Sequence, residues 1–261
     1  MRVVLCLVAA TLVAVPLAAA SRTGPEPYRR PHVVLQWEAT RAVGIALRRG
    51  EPLYCGGGHA NDVALTFDDG PGPYTEQLVA LLRAAGAHAT FFLVGNRMQY
   101  WPTAAREEST VGAVGNHSWS HPRLTQLPQW LQWAELVRMQ YTVSQSLGRR
   151  PRLFRAPYEL HDAQTDTLAR SLGLVEVFWS ATSGDDLKHP TATSVARNVI
   201  RELRPGAIVL LHDIHPWTIR AMPAILRAAH ARGIRLVSVP ELLVLDPPSE
   251  HQHCTFAPGS D

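Results

Sequence analysis

The chain has 261 residues, of which 46% are hydrophobic and 18% are charged, a balance typical of a globular protein. This length is sufficient for one large domain with a substantial core. The formal net charge is only +3, and no stripe of Lys and Arg with interleaved aromatic residues occurs. These features argue against a nucleic-acid partner. Nothing in the sequence indicates a dimerisation helix, so we expect a monomer.

The first twenty residues have the pattern of a secretory signal peptide. Arg2 provides a short positive region, residues 3–19 are almost wholly apolar, and Ala18-Ala19-Ala20 resembles a small-residue cleavage site before Ser21. An uncleaved membrane anchor is the alternative, because the apolar run is close to the length of a marginal transmembrane span. The alanine-rich end favours cleavage. We therefore expect a secreted or cell-envelope protein without stable membrane insertion.

The cysteines indicate one disulfide. Cys6 leaves with the signal peptide, and Cys55 and Cys254 remain near the two ends of the mature chain. An even number of cysteines in an exported chain favours a bridge between them. The alternative is a small metal site formed by His251, His253 and Cys254, which would lack ligands from a second segment.

The sequence divides into an N-terminal arm at 21–61, a domain at 62–245 and a polar tail at 246–261. The arm contains a helix-like apolar spacing over 33–49. Within the domain, short apolar runs alternate with helical patterns, which predicts an α/β fold with a parallel sheet. Seven strands suggest a barrel one unit short of eight. The predicted strands are 63–66, 90–94, 111–114, 152–154, 175–179, 208–211 and 235–238, and the predicted helices are 75–85, 98–108, 128–147, 163–172, 192–203 and 218–232.

Polar residues follow most of the predicted strands. In parallel α/β folds the loops after the strands meet on one face, where the chemistry lies. We therefore expect these side chains to form one site, which scattered polar residues would not do. They are Asp68 and Asp69 after the first strand, His117 after the third, Arg155 after the fourth, Asp185 and Asp186 beyond the fifth, and His212 after the sixth.

The adjacent carboxylates of Asp68 and Asp69 repel each other, so they favour a cation or an arginine nearby. The sequence 70–73, Gly-Pro-Gly-Pro, supplies a turn at which both can face the same site. A simple turn or capping pair is the alternative.

His117 and His121 are four residues apart, so on one helical turn they would share a face. With Asp69, and with Asn116 in the same layer, they form a plausible three-ligand set for a catalytic zinc with one open position. Two surface histidines are the alternative. Asp68 is then free to act as a general base.

Two further residues complete this interpretation. Arg155 can pair with Asp68, although such a segment alone is more often a structural loop with a salt bridge. His212 ends a fully apolar strand and suits a general acid near neutral pH, the alternative being a hydrogen-bonded core histidine. A serine hydrolase is disfavoured, because no Gly-x-Ser-x-Gly elbow occurs.

The motifs together resemble the polysaccharide deacetylases with a NodB-homology domain, the fourth family of carbohydrate esterases. The resemblance covers roughly residues 60–245. The residues that carry it are Thr66-Phe67-Asp68-Asp69-Gly70-Pro71, His117-Ser118-x-x-His121, Arg155-x-Pro157-Tyr158 and Leu210-x-His212.

The resemblance implies a distorted (β/α)7 barrel, a single NodB-type domain, and metal-dependent hydrolysis of N- or O-acetyl groups on sugar polymers. The implied cofactor is Zn²⁺, with Co²⁺ or a similar ion as the alternative. By this resemblance Asp68 would be the catalytic base, Arg155 would hold that base in place, and His212 would be the general acid. The metal ligands would be Asp69, His117 and His121. The backbone N–H of Tyr158 would stabilise the oxyanion, and the acetyl pocket would include Leu210 and Trp179.

The chain departs from the family pattern in two places. Thr182 stands where the family has the first Asp of an Asp-x-x-Asp-Trp motif, and Asp186 stands where it has Trp. That first Asp is expected to orient the acid histidine, so His212 would lose its partner unless Asp185 substitutes. The second departure is Glu159, where the family usually has Gly, which is expected to alter the substrate groove.

The favoured interpretation is therefore an exported hydrolase that removes acetyl groups from N-acetylglucosamine in peptidoglycan or chitin-like oligomers. An O-acetyl esterase acting on xylan would use the same site. The altered fourth motif motivates a third hypothesis, a carbohydrate-binding pseudoenzyme.

Overall fold

The computed structural model describes residues 32–249, with side chains from residue 36 onward. Eight strands and eight α-helices lie along this part of the chain, and they alternate except where the sixth strand directly follows the fifth. The strands are β1 (Asp62–Asp68), β2 (Ala89–Leu93), β3 (Gly112–Asn116), β4 (Leu153–Phe154), β5 (Val175–Glu176), β6 (Ala181–Thr182), β7 (Ile208–His212) and β8 (Arg235–Val237). The helices are α1 (His32–Arg49), α2 (Thr75–Ala85), α3 (Pro102–Glu108), α4 (Gln129–Leu147), α5 (Ala163–Ser171), α6 (Ala192–Glu202), α7 (Pro216–Ala231) and α8 (Val239–Leu245).

All the strands belong to one parallel sheet with the order β5-β4-β3-β2-β1-β7-β6. The first residues of β1 also pair with β8. Ala64 pairs with both Ile208 and Val237, whereas Thr66 pairs with both Leu210 and Thr90. Strands β8 and β2 therefore share one edge of β1, one after the other. This curled parallel sheet confirms the predicted α/β barrel-like class.

The sequence prediction missed two elements. Strand β6, Ala181–Thr182, lies between Ser180 and Ser183 and has no apolar run to mark it. Helix α8 follows β8 directly, and it begins with a capping box in which Ser238 and Glu241 bond each other's backbone N–H groups. Helix α1 confirms the helix predicted within 33–49.

Apolar residues pack on both faces of the sheet. One core lies between the sheet and its helices, and it contains Phe67 of β1, Leu78 of α2 and Ile225 of α7. Ala64 of β1 faces the opposite way, as the two-residue period of a strand requires, and belongs to a second core. Val43 of α1 and residues of α8 complete this second core.

Close approach of β2 and β3 requires glycine at position 112. A methyl group there would overlap the backbone carbonyl of Ala89. We expect Gly112→Ala to lower the free energy of unfolding by about 1–3 kcal/mol, since the two strands would have to separate. The matched control is Gly44→Ala in α1, where a methyl group meets only ordinary contacts and should stabilise by up to about 1 kcal/mol. Urea denaturation of both variants tests this; equal effects would contradict it.

Some predictions concern residues outside the described range. They are the signal peptide, the start of the arm and the tail from residue 250. The tail contains Cys254, for which the sequence offered a disulfide with Cys55 or a metal site with His251 and His253. The Cys55–Cys254 disulfide and the proposed domain boundaries remain predictions. Within residues 32–249, none of the helices is both long and apolar enough to cross a membrane.

Candidate active site

The predicted site residues meet where the strands end. Asp68 is the last residue of β1 and His212 is the last residue of β7, and the two occupy paired positions in neighbouring strands. Arg155 directly follows β4, and His117 directly follows β3. The parallel arrangement thus brings side chains separated by up to 144 positions to one edge of the sheet.

Arg155 holds Asp68 in a fixed position. Its side chain is fully buried, and its Nη1 donates to Oδ1 of Asp68 at 2.7 Å. The same Nη1 donates to Oγ1 of Thr66 at 2.8 Å, and the other two guanidinium nitrogens donate to the carbonyls of Val177 and Phe178. Four hydrogen bonds satisfy this guanidinium in a planar fork that lysine could not reproduce.

Asp69, His117 and His121 form a cluster of three potential metal ligands. Oδ1 of Asp69 lies 3.1 Å from Nε2 of His121 and 3.6 Å from Nε2 of His117. One donor atom from each residue lies within 4.8 Å of the others. Oδ2 of Asp68 faces this cluster, 3.8 Å from Nε2 of His117.

Backbone geometry aims the first of these ligands. Asp69 has a φ of 69°, a left-handed conformation that Asp tolerates better than most residues. The turn reverses the strand alternation that would otherwise send Asp68 and Asp69 to opposite faces. Both carboxylates therefore reach the same side of the sheet, as the Gly-Pro turn predicted.

His117 is oriented by a main-chain acceptor. Its Nδ1 lies 2.8 Å from the carbonyl oxygen of Arg155. An N–H at Nδ1 donates to that carbonyl, which leaves the lone pair of Nε2 directed at the cluster, the arrangement typical of metal-binding histidines. Burial lowers the pKa of His117, and the neutral form is the one that binds metals.

The helical turn on which His117 and His121 would share a face does not form. They lie on an irregular loop in which Ser118 and His121 have φ values of 64° and 59°. Asn116 accepts from the Ser118 N–H and donates to a carbonyl of α4. It shapes this loop and does not join the ligand set. The two imidazoles nevertheless lie close together, with ring centroids 4.9 Å apart.

The ligand cluster fits a divalent cation. Oδ1 of Asp69 is buried and accepts no hydrogen bond within residues 32–249, although both imidazoles lie near it. Burial alone would raise the pKa of Asp69, but His121 and His117 outweigh it and place that pKa below its usual range. An ionised carboxylate with two imidazole nitrogens is a donor set that suits zinc.

Asp185 orients His212. Its Oδ1 lies 2.9 Å from Nδ1 of His212, and its Oδ2 accepts from the His212 backbone N–H at 2.8 Å. Burial alone would lower the pKa of His212, but the hydrogen bond and charge of Asp185 raise it to about 10. His212 is therefore protonated at neutral pH, with its Nδ1–H directed at Asp185.

Asp185 supplies the orienting carboxylate that Thr182 does not, which is the substitution considered for the altered fourth motif. It is itself held by the hydroxyl of Thr218, at 2.6 Å, and its carbonyl accepts from the indole of Trp217. The Thr182 hydroxyl accepts from the Gly184 N–H within the turn. Asp186, which stands where the family has Trp, is exposed.

Tyr158 lies at the rim of the cluster. Its ring packs edge-on against His121, with centroids 4.5 Å apart. The guanidinium carbon of Arg123 lies over the same ring, 4.7 Å from its centroid. Tyr158 and Glu159 have φ values of 59° and 58°. Glycine adopts this left-handed conformation without strain, which explains why the family usually has glycine at the position that Glu159 occupies here.

The remaining predicted pocket residues line the same edge. Leu210 is buried two positions before His212, so both lie on the same face of β7. Trp179 is partly buried, with its ring 5.3 Å from the guanidinium carbon of Arg155. Apart from Cys55, the residues to which the resemblance assigned catalytic, ligand or pocket roles thus lie at this edge of the sheet, whereas Asp186 is exposed.

The comparisons with known proteins agree with this geometry. The family model described as polysaccharide deacetylase matches residues 56–177. The peptidoglycan-N-acetylmuramic acid deacetylase PdaC of Bacillus subtilis is 34% identical over 182 residues, covering 69% of this chain and 38% of that protein. A chitooligosaccharide deacetylase of Azorhizobium caulinodans is 31% identical over 197 residues, covering 69% of this chain and 93% of that protein.

The chain belongs to the polysaccharide deacetylase family. A solved structure of a family 4 carbohydrate esterase from Streptomyces lividans, in complex with acetate, has the same fold with a TM-score of 0.63. It is 34% identical, and the match covers 67% of this chain and 90% of that one. The chain spans less than two fifths of the length of PdaC. His212 lies beyond the segment that the family model matches.

Three supporting residues of this polysaccharide deacetylase domain were not singled out for these roles from the sequence. Thr66 binds Arg155, and Trp217 and Thr218 bind Asp185. The sequence indicates the role of Thr66 in one way: it lies two positions before Asp68 and therefore on the same face of β1. His215 stacks on Trp217 with centroids 4.8 Å apart and lies beside His212.

Proposed function

We propose that this chain is an exported, metal-dependent deacetylase that removes N-acetyl groups from N-acetylglucosamine-containing polymers such as peptidoglycan or chitin-like oligomers. The observation that carries the proposal is that Asp68 and His212 occupy paired register positions at the ends of β1 and β7, beside a cluster of three potential metal ligands. A carboxylate and a protonated imidazole on either side of a bound acetyl group provide a base and an acid.

Asp69, His117 and His121 would hold the divalent cation, with zinc favoured by two imidazoles and one carboxylate. When bound, the ion supplies Lewis-acid polarisation of the acetyl carbonyl. Tyr158 would direct its backbone N–H at the developing negative charge on the same oxygen. Leu210 and Trp179 would enclose the acetyl methyl group.

Asp68 acts first in this scheme. Arg155 occupies Oδ1 of Asp68, so Oδ2, which faces the ligand cluster, is the oxygen that accepts a proton from the attacking water. A new C–O bond forms as that proton moves to Asp68. The fixed guanidinium prevents the carboxylate from rotating away, which is a contribution of orientation.

His212 completes the reaction. Its Nε2 proton passes to the leaving nitrogen as the C–N bond breaks, giving acetate and a free amine. Asp185 holds the ring through Nδ1 before and after the transfer. An amine leaving group requires this proton more than an alkoxide does. The strongly held acid therefore supports the amide substrate over the ester, and it weakens the main reason for the pseudoenzyme hypothesis.

The test is acetate release from N-acetylglucosamine oligomers, peptidoglycan and acetylated xylan, with added zinc or cobalt and with chelator. We expect metal-dependent release, preferentially from the amide substrates. Asp68→Asn should reduce the rate by about 10²–10⁴-fold, the usual contribution of a general base. Zinc binding to the variant should persist.

The matched control is Asp62→Asn. Asp62 is a buried aspartate at the other end of β1, paired with Arg235 at 2.7 and 2.8 Å. The folded Asp62→Asn protein should keep its activity. Faster release from xylan than from the amides would favour the esterase. No release from any polymer, with zinc still bound, would favour the pseudoenzyme.

Export to the cell envelope is the remaining part of the proposal. It rests on the signal-like residues 1–20 and on relatives named as peptidoglycan deacetylases. Amino-terminal sequencing of protein recovered outside the cytoplasm should begin at Ser21. Recovery of full-length chain only inside cells would contradict it.

A further inference from the structure

A second group of potential ligands lies away from the candidate active site. His161 comes just before α5, Asp166 lies in the first turn of α5, and Glu176 ends β5. Nδ1 of His161 lies 2.9 Å from Oδ1 of Asp166 and 3.9 Å from Oε2 of Glu176. Within residues 32–249, this group and the Asp69 cluster are the two sets of three His, Cys, Asp or Glu donors with ligand atoms inside 4.8 Å of one another.

Glu176 provides an independent indication of a ligand. Its side chain is only 5% exposed, and neither of its carboxyl oxygens accepts a hydrogen bond from any residue that the structure describes. A buried carboxylate without a partner is costly. Burial, with the nearby charge of Asp166, raises the pKa of Glu176 to about 9. The buried oxygens of Glu176 are therefore open to a proton, a bound cation or a positively charged side chain.

His161 distinguishes the group of His161, Asp166 and Glu176 from a simple pair of carboxyl groups that share a proton. Glu108 and Asp213 are also buried carboxyl groups with oxygens that accept no hydrogen bond in the described part of the chain. They belong to no three-donor group there, and both are almost completely inaccessible. By contrast, the side chains of His161 and Asp166 are 27% and 23% exposed, so an ion could enter from solvent.

We propose that His161, Asp166 and Glu176 form a second divalent cation site, with zinc as the favoured ion. One imidazole nitrogen and two carboxylate oxygens are donors that zinc accepts, with water at the remaining position. Binding would require the proton on Nδ1 of His161 to move to Nε2 or to solvent, and the proton of the Glu176 carboxyl to leave to solvent.

This site would be structural. It would connect the loop after β4, which ends at His161, to β5. The ring of His161 packs on Phe178, with centroids 4.6 Å apart, and the Phe178 carbonyl accepts from Arg155. The same loop carries Tyr158 and the left-handed Glu159. A cation here would therefore stabilise the segment that positions part of the candidate active site.

The experiment is a zinc count by elemental mass spectrometry after equilibration with zinc and desalting. We expect two zinc ions per wild-type chain, one in Asp69→Asn, one in Glu176→Gln, and none in the double variant. Glu159→Gln, an acid on the same loop but outside the group, is the matched control and should keep two. In the Asp69→Asn background, added zinc should raise the melting temperature, and Glu176→Gln should abolish that rise.

The proposal is independent of catalysis, because the Asp69→Asn background removes the first site from the count. If Glu176→Gln fails to fold, the partly exposed His161→Gln serves as the second variant and should also lose one ion. A single zinc in the wild-type chain, or an unchanged count in Glu176→Gln, would overturn the proposal. Glu176 would then hold a proton or be neutralised by Arg170, which lines the adjacent surface pocket.

Discussion

Asp185→Asn is expected to reduce acetate release by about 10²–10⁴-fold, the range of a general-acid contribution. Burial lowers the pKa of His212, and Asp185 overcomes this and raises that pKa to about 10. An asparagine removes the charge, so the pKa of His212 falls and the neutral ring cannot protonate the leaving amine. Because the acid must be protonated to act, the loss of activity at high pH should move to lower pH.

The measurement is the pH dependence of kcat for the wild type and the variant. Asp186→Asn is the matched control, because it removes the same charge one residue further along at an exposed position. Its activity and pH profile should be close to those of the wild type. A lower rate in Asp185→Asn with an unshifted profile would mean that Asp185 has only a structural role.

Arg155→Met is expected to lower the free energy of unfolding by about 3–5 kcal/mol, the cost of breaking a buried ion pair. The methionine leaves the buried carboxylate of Asp68 and the carbonyls of Val177 and Phe178 without their donor. Urea denaturation would measure the change. Acetate release should also fall, because Asp68 would no longer be held.

A double-mutant cycle separates the ion pair from the other contacts. The Asp68→Asn/Arg155→Met double variant should be less destabilised than the sum of the single variants, since no unpaired buried charge remains. The control is Arg138→Met. Arg138 is exposed and lies over the Trp119 ring at 3.8 Å, a contact worth about 0.5–1 kcal/mol. Additive effects at positions 68 and 155 would contradict the expected coupling.

Strand periodicity was sufficient to predict the fold class and the convergence of the distant polar residues. Residues that follow parallel strands must meet at one edge of the sheet. This rule brought Asp68, Arg155 and His212 together without any knowledge of the loops. It could not predict β6, because Ala181 and Thr182 lie between two serines and form no apolar run.

The loops were less predictable, because they depend on backbone angles that the residue pattern does not specify. The four-residue spacing of His117 and His121 fits a helical turn, but Asn116 and Ser118 bend the chain into a different loop. The ligand set did not require the helix. Two imidazoles can converge from either local structure.

The partner of His212 could not be assigned by counting positions in a motif. Gly184 has a φ of 65°, and the turn that it allows brings Asp185 to the histidine. Thr218, which fixes Asp185, belongs to α7 and is 33 positions away. The group formed by His161 could not be predicted from the sequence either, because Glu176 belongs to β5 and is 15 positions away from His161.

The support of His117 by the main-chain carbonyl of Arg155 has an evolutionary consequence. No side-chain substitution at position 155 removes that acceptor, whereas almost any substitution there removes the guanidinium that holds Asp68. Mutational drift at position 155 can therefore release the base from its fixed position while sparing a ligand. In descendants of this scaffold, retention of a metal ion would be poor evidence of retained catalysis.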